Sequence, residues 1–133
     1  MNGRLLDTNH FGLAVRLHSP VFQRIKSELR CGVRIGACIP VLCEVDVGAC
    51  NVAAPDAYRD GVNRLLRHIK LWPLTRGTAR YYGEIANDLR RKGRALSQID
   101  IMLAALCREM DLTLVTTDKD FAALPWLKTE DWS

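Results

Sequence analysis

The sequence predicts an α/β fold with a mostly parallel sheet, and three observations lead there. Short apolar runs over residues 4–7, 33–39 and 112–117 alternate with longer stretches of helical periodicity. Gly32, Pro40 and Gly93 mark where several of these stretches stop or start. Two of the runs end on an acid, Asp7 and Asp118. Parallel strands of one open sheet would bring both acids to its carboxyl end, where such sheets bind ligands.

The elements follow in order. Residues 4–7 read as a first strand. Ser19-Pro20 is a helix cap followed by proline at the first helical position, with Phe22, Ile25 and Leu29 on one face and Cys31-Gly32 as the stop. Val33 to Ile39 reads as a strand that Gly36 weakens; Pro40 ends it and starts a helix carrying Glu44 and Gly48 on one face. Val62, Leu65, Leu66 and Ile69 mark a helix over 55–69, and Leu71-Trp72 a short third strand. The clearest amphipathic helix spans 78–92, with Tyr82, Ile85, Ala86 and Leu89 inward and Gly93 as the stop. Ser97 caps a helix running to Met110. Leu112 to Thr117 is a strand, and residues 126–129 make a last short one.

With 133 residues the chain makes one domain over 1–133, enough to bury roughly 68–70% of its unfolded surface. No run approaches the ~20 apolar residues of a membrane span, and no signal-peptide pattern precedes Asp7, so the expected compartment is the cytoplasm. Five cysteines (Cys31, Cys38, Cys43, Cys50, Cys107) form no C-x-x-C pair and are odd in number. They read as small buried hydrophobes in a reducing compartment, not as a zinc site or disulfide framework. The net charge of +4 is unevenly placed, densest at Arg90-Arg91-Lys92-Gly93-Arg94. A solvated helix face explains any one of these residues; together they suit a polyanionic substrate.

Four acids carry the chemical signal: Asp7, Glu44, Asp100 and Asp118. Each also has a structural reading. Asp7 is a good helix cap after a strand. Asp118 and Asp120 are good turn formers. Asp100 closes Ser97-x-x-Asp100, the spacing of a capping box in which the acid bonds back to the cap amide. Glu44 lies among apolar residues where a structural acid has little to do, with Asp46 as its local rival. As a set, two strand-end acids and two helix-borne acids without His or Cys at ligand spacing make an all-oxygen group. Such groups suit Mg²⁺ or Mn²⁺ and disfavour zinc. No Walker-type glycine loop is present.

On these residues the chain resembles the PIN domains, and within them the VapC toxins of bacterial toxin–antitoxin pairs. The stretches that carry the resemblance are Leu5-Leu6-Asp7-Thr8-Asn9-His10, Glu44-Val45-x-x-Gly48, Asp100-Ile101-Met102-Leu103-Ala104-Ala105 and Thr116-Thr117-Asp118-Lys119-Asp120-Phe121. They occur in the family's order, and the tail ending in Trp132 also fits. Cys43 before Glu44 and Val45 after it depart from the more usual residues, without touching an acid. The resemblance implies a three-layer α/β/α fold and Mg²⁺- or Mn²⁺-dependent cleavage of RNA. It also implies an antitoxin partner and a homodimer. By position, Asp7, Glu44, Asp100 and Asp118 take the metal-binding roles and Asp120 matches an assisting acid. Thr8, Asn9 and Thr117 match positions supporting those acids.

The leading expectation is an endoribonuclease toxin in which those four acids hold one or two ions and Arg90, Arg91 and Arg94 lie near the path of the strand. His10, His18 and His68 are scattered, and none is placed as an obvious general base. A metal-dependent DNA nuclease or phosphatase would use the same acids. A module that binds RNA or a partner with little catalysis is the competitor of another class; four mutually repelling carboxylates argue against it.

Overall fold

Local chemistry starts and stops the chain's elements, and the computed structural model describes residues 2–133. β1 (Gly3–Leu6) leads directly into a short helix α1 (Thr8–Ala14) capped by Asp7. α2 (Pro20–Arg30) begins where the Ser19 hydroxyl accepts the Phe22 amide, and Gly32 closes it at φ 83°, a conformation open to glycine. β2 (Ile35–Cys38) runs without a linker into α3 (Ile39–Ala49), followed by α4 (Pro55–Leu66) and β3 (Lys70–Trp72). α5 (Arg76–Arg91) and α6 (Gln98–Met110) then precede β4 (Leu112–Val115), a 3₁₀ turn over Lys119–Ala123 and β5 (Thr129–Glu130).

The five strands form one all-parallel sheet in the order β3-β2-β1-β4-β5. β1 pairs Leu5 with Gly36 on one side and with Leu114 on the other. Every residue of β2 and β4 is buried, the continuous apolar pattern of a sheet covered on both faces. Right-handed crossovers put α1–α4 on one face and α5 and α6 on the other. The packing agrees, α1 lying against α2 and α3, and α5 against α6. This is the three-layer α/β/α architecture expected. The main core, from Leu5, Phe11 and Ile25 to Leu106 and Leu114, spans the sheet; a smaller cluster under α5 joins Ile85, Leu89, Ala104 and Leu124.

Several boundaries and environments differ from the sequence reading, each for a physical reason. α1, at seven residues, lacks the length to show a periodicity in the sequence. Ile39 belongs to α3, because Pro40 serves as an early helical residue rather than a strand end. α4 stops at Leu66, short of Ile69. α5 starts at Arg76, because Thr75 and Thr78 exchange side-chain and backbone bonds in a capping box that lacks the usual acid. The last strand is Thr129–Glu130, shifted from residues 126–129 by its pairing with β4. Cys38 and Cys107 are buried as expected, but Cys31, Cys43 and Cys50 are exposed. α3 is apolar nearly all round, so its outward positions carry thiols and aliphatics, Ile39 and Val47 among them.

Gly36, which weakened the strand assignment, is required by the packing of its neighbours. A Cβ there would sit 2.7 Å from Trp72 Cε3 and 2.8 Å from the Lys70 carbonyl oxygen. Gly36→Ala is expected to destabilise by about 1–3 kcal/mol. The melting temperature should fall by roughly 3–10 °C for a domain of this size. Gly83→Ala is the control: its Cβ meets nothing within 4 Å, and helix propensity favours alanine by up to about 1 kcal/mol. Thermal melts giving equal stability for Gly36→Ala and wild type would contradict this account of β2.

Candidate active site

The connectivity creates a crevice before any side chain is considered. The chain leaves β1 toward β2 over one face and reaches β4 over the other, so β1 and β4 flank a switch point whose carboxyl end is open. Asp7 follows β1, and its amide donates to the Val115 carbonyl oxygen at 3.2 Å, one more rung of the β1–β4 ladder. Asp118 follows β4 after two intervening residues, Thr116 and Thr117. α3 begins at the carboxyl end of β2, with Glu44 in its second turn. α6 runs back against β4, so Asp100 in its first turn lies at the same end.

Each acid is held differently. Asp7 is 8% exposed, and its Oδ1 accepts the His10 amide at 2.8 Å and lies 3.2 Å from His10 Nδ1. Glu44 is exposed, and its Oε1 accepts the hydroxyl of Thr8, which ties α3 to the first residue of α1. Asp118 is exposed and caps the 3₁₀ turn, its Oδ1 accepting the Asp120 amide at 2.9 Å. Its own amide donates to Thr116 Oγ1 at 3.0 Å. Asp100 is half-buried. Its amide donates to the Ser97 hydroxyl at 3.1 Å, but among the described residues no return bond runs from its carboxylate to the Ser97 amide. The capping box expected from the sequence is thus half made, and the carboxylate is left to the crevice.

The electrostatics show that the acids share one field. Burial raises the Asp100 carboxyl above its ordinary value; the Ser97 hydroxyl offsets part of this, and the charges of Asp118, Glu44 and Asp7 raise it further. All three other acids therefore act on Asp100. Among the described residues no three Asp, Glu, His or Cys side chains already converge as a ligand cluster, so the acids ring the crevice without closing on a point. Four carboxylates with no thiolate among them offer hard oxygen donors, and by its chemistry that donor set fits a hard divalent cation.

The remaining expected residues fall less evenly. Asn9 and Thr117 are exposed, and neither side chain makes a hydrogen bond among the described residues. It is the buried Thr116 that orders the turn before Asp118, a role the sequence reading gave to its neighbour. Asp120 contributes its amide to Asp118. Arg90, Arg91 and Arg94 are exposed about the end of α5; Arg91 Nη2 lies 3.9 Å from Asp88 Oδ1, and Arg90 and Arg94 have no ion pair among the described residues. Asp46 is exposed and makes no side-chain bond there. His10, set aside in the sequence reading, is fully buried against Asp7; its three-residue spacing from that acid was the available signal. A groove of about 610 Å³ runs from Thr116, Thr117 and Asp118 past Lys119 and Leu124 to Asp131.

The PIN domain family model matches residues 4–127. Ribonuclease VapC2 of Rickettsia felis is 25% identical over 129 residues, 96% of either chain. The tRNA(fMet)-specific endonuclease VapC of Shigella flexneri is 27% identical over 130 residues, 97% of either chain. Among solved structures, VapBC2 from Rickettsia felis bound to promoter DNA superposes with a TM-score of 0.87 at 23% identity over 98% of both chains. DNA-bound VapBC from Salmonella typhimurium gives 0.87 at 24% identity over the full length of both.

The sign of the Asp100 shift gives a stability test. A carboxyl whose folded value is raised binds its proton more tightly in the native state, so it costs stability once pH rises above its ordinary range. Asp100→Asn should therefore melt higher than wild type in EDTA at neutral pH. The advantage should shrink as pH falls through the raised value and vanish once pH is well below the ordinary carboxyl value of about 3.9, where the acid is protonated in both states. Differential scanning calorimetry across that range checks it; a variant no more stable than wild type at pH 7 contradicts the raised Asp100 carboxyl.

Proposed function

The chain belongs to the PIN domain family, and from that membership we propose that it is a metal-dependent endoribonuclease acting as the toxin of a toxin–antitoxin pair, residues 1–133 forming one nuclease domain. The observation that carries the reading is the placement of Asp7, Glu44, Asp100 and Asp118 together at the carboxyl end of the sheet, about its switch point. The names of its relatives, a ribonuclease and a tRNA endonuclease, support RNA as the substrate class.

In this reading Asp7, Glu44, Asp100 and Asp118 hold Mg²⁺ or Mn²⁺. When bound, such an ion supplies polarisation of a phosphate oxygen, a lower pKa for water and charge stabilisation of the leaving oxygen. The chain's own residues do the rest. The Thr8 hydroxyl orients Glu44, and Thr116 sets the turn that presents Asp118. The Ser97 hydroxyl fixes the first turn of α6 and with it the backbone of Asp100. Arg90, Arg91 and Arg94 supply counter-charge for a polyanion approaching a negative centre. Asn9, Thr117 and Asp120 line the same end and are available to the strand. The proposed partners are an antitoxin, as in the VapBC complexes that share the fold, and a second copy of the chain. No helix of the described residues is long and apolar enough to cross a membrane, and the proposal sets the toxin in the cytoplasm with its RNA.

The test is cleavage of structured RNA by purified protein with Mn²⁺ or Mg²⁺ and with EDTA. Cleavage should require the metal. Asp100→Asn should stay folded and lose activity by about two orders of magnitude or more, as expected when a group stabilising transition-state charge is removed. Ser97→Ala should lose about 1 kcal/mol of stability and keep cutting. Asp100→Asn cutting at the wild-type rate would take that acid out of the site. In cells, expression of the chain alone should slow growth and co-expression of its neighbouring small gene should restore it; accumulation without effect in the native host would leave a nuclease that is no toxin.

A further inference from the structure

His10 stands three residues after Asp7 on α1, so the two side chains share one turn. It is 0% exposed, yet both ring nitrogens are engaged. Nδ1 lies 3.2 Å from Asp7 Oδ1, the oxygen that also accepts the His10 amide at 2.8 Å. Nε2 lies 3.2 Å from the backbone nitrogen of Trp132. A backbone amide can only donate, so Nε2 presents its lone pair and the ring proton is left on Nδ1, directed at Asp7.

The other end of this chain of bonds is held by packing. Trp132 is buried, with the Arg24 guanidinium 5.0 Å above its ring. Its indole N–H donates to Glu130 Oε2 at 2.8 Å, and Glu130 pairs with Arg4 at 3.0 Å. Asp131 Oδ1 also lies 3.3 Å from Nε2, but it is taken up by the Ser133 amide at 2.8 Å and hydroxyl at 2.6 Å. A buried histidine needs partners for both nitrogens in any fold. Here one partner is a site acid and the other is a C-terminal tail amide 122 residues away.

We infer that His10 is a positioning residue for Asp7: the Trp132 amide fixes the imidazole tautomer, and the Nδ1–H then fixes Asp7 Oδ1. Two donors on Oδ1 leave Oδ2, which no donor engages among the described residues, as the oxygen presented to the crevice. The C-terminal tail becomes a strap that orients an acid at the opposite end of the sequence. This inference rests on the reading of Asp7 as a metal-binding acid, and partners that orient such ligands tune affinity as well as geometry.

The test is Mn²⁺ binding to the full-length protein by titration calorimetry, at a temperature where each variant is folded by circular dichroism. In His10→Asn the amide nitrogen overlays Nδ1 and keeps the donor to Asp7. In His10→Gln the longer side chain reaches the Nε2 position, keeping an acceptor for Trp132 while withdrawing the donor. His10→Leu keeps neither, and the Asn–Gln comparison stands without it. The Kd of His10→Asn should stay within about threefold of wild type, while Gln and Leu weaken it by about tenfold or more, the range seen for partners of metal ligands. Unchanged Kd in every variant, with only the melting temperature lowered, overturns the inference and leaves His10 a core residue. A loss in His10→Asn as large as in His10→Gln overturns it equally. Wild-type protein that binds no Mn²⁺ removes the metal reading itself, and this inference with it.

Discussion

The parallel pairing of β1 with both β2 and β4 is the constraint on which everything else hangs. Four residues, Gly3–Leu6, join β3-β2 on one side to β4-β5 on the other. Without them there is no common sheet and no switch point. The pairing is tight: a Cβ on Gly3 would meet Leu112 Cδ2 at 2.8 Å and the Arg34 carbonyl oxygen at 3.1 Å. Leu5 and Leu6 are both fully buried, each contributing about 1.5–3 kcal/mol from its removal from water. The same ladder continues one bond past the strand, from the Asp7 amide to Val115. The spacing between the Asp7 backbone and the turn carrying Asp118 is thus a property of the sheet, not of the loops.

That framework removes a rivalry the sequence had left open. Each strand-end acid had to be weighed as either a cap or a ligand, and the structure makes the first of these roles compatible with the second. A carboxylate has two oxygens and about four acceptor sites. Asp7 spends Oδ1 on the His10 amide, and Asp118 spends Oδ1 on the Asp120 amide. Capping bonds of this kind contribute about 1 kcal/mol each, and hydrogen bonds to the ionised form oppose the repulsion among the acids. Asp100 has no such support on its carboxylate beyond the Ser97 hydroxyl, and burial, with the charges of Asp118, Glu44 and Asp7 adding to it, raises its carboxyl.

What was legible in the sequence is what local chemistry encodes. Ser19-Pro20 and Ser97 mark helix starts because a hydroxyl reaches an amide three residues on, whatever the tertiary context. Asp7 and Asp118 stood out because they end apolar runs. What stayed hidden depends on distant partners. β5 has only two residues and exists because Leu114 and Val115 pair with it. The outward cysteines of α3 could not be told from buried ones on a helix apolar all round. Thr8 gained its meaning from Glu44, 36 residues away, and His10 from the tail, and no periodicity records such pairs. The half-made box at Ser97 and Asp100 shows the opposite limit, a local motif whose spacing was right while its second bond is not made among the described residues.

The placement of basic residues follows from the same topology. α5 and α6 are joined by the short stretch 92–97 and pack along each other, which makes them antiparallel neighbours. The end of α5 therefore lies beside the start of α6, at the carboxyl end of the sheet. Arg90 and Arg91 in the last turn of a helix are favoured there by its dipole, so their presence alone needs no substrate. Their neighbours distinguish them further. Asp88 engages Lys92 at 2.9 Å, whereas Arg90 and Arg94 are left without an ion pair among the described residues. Exposed charges act over about 8 Å at physiological ionic strength, so only cations at this end of the molecule can offset the field of four acids for an incoming polyanion. The turn that brings Asp100 to this end of the sheet brings Arg94 with it, six residues earlier. One short segment thereby carries an acid and a cation close together in the sequence, and the proposed attraction of a polyanion needs no second element to supply its counter-charge.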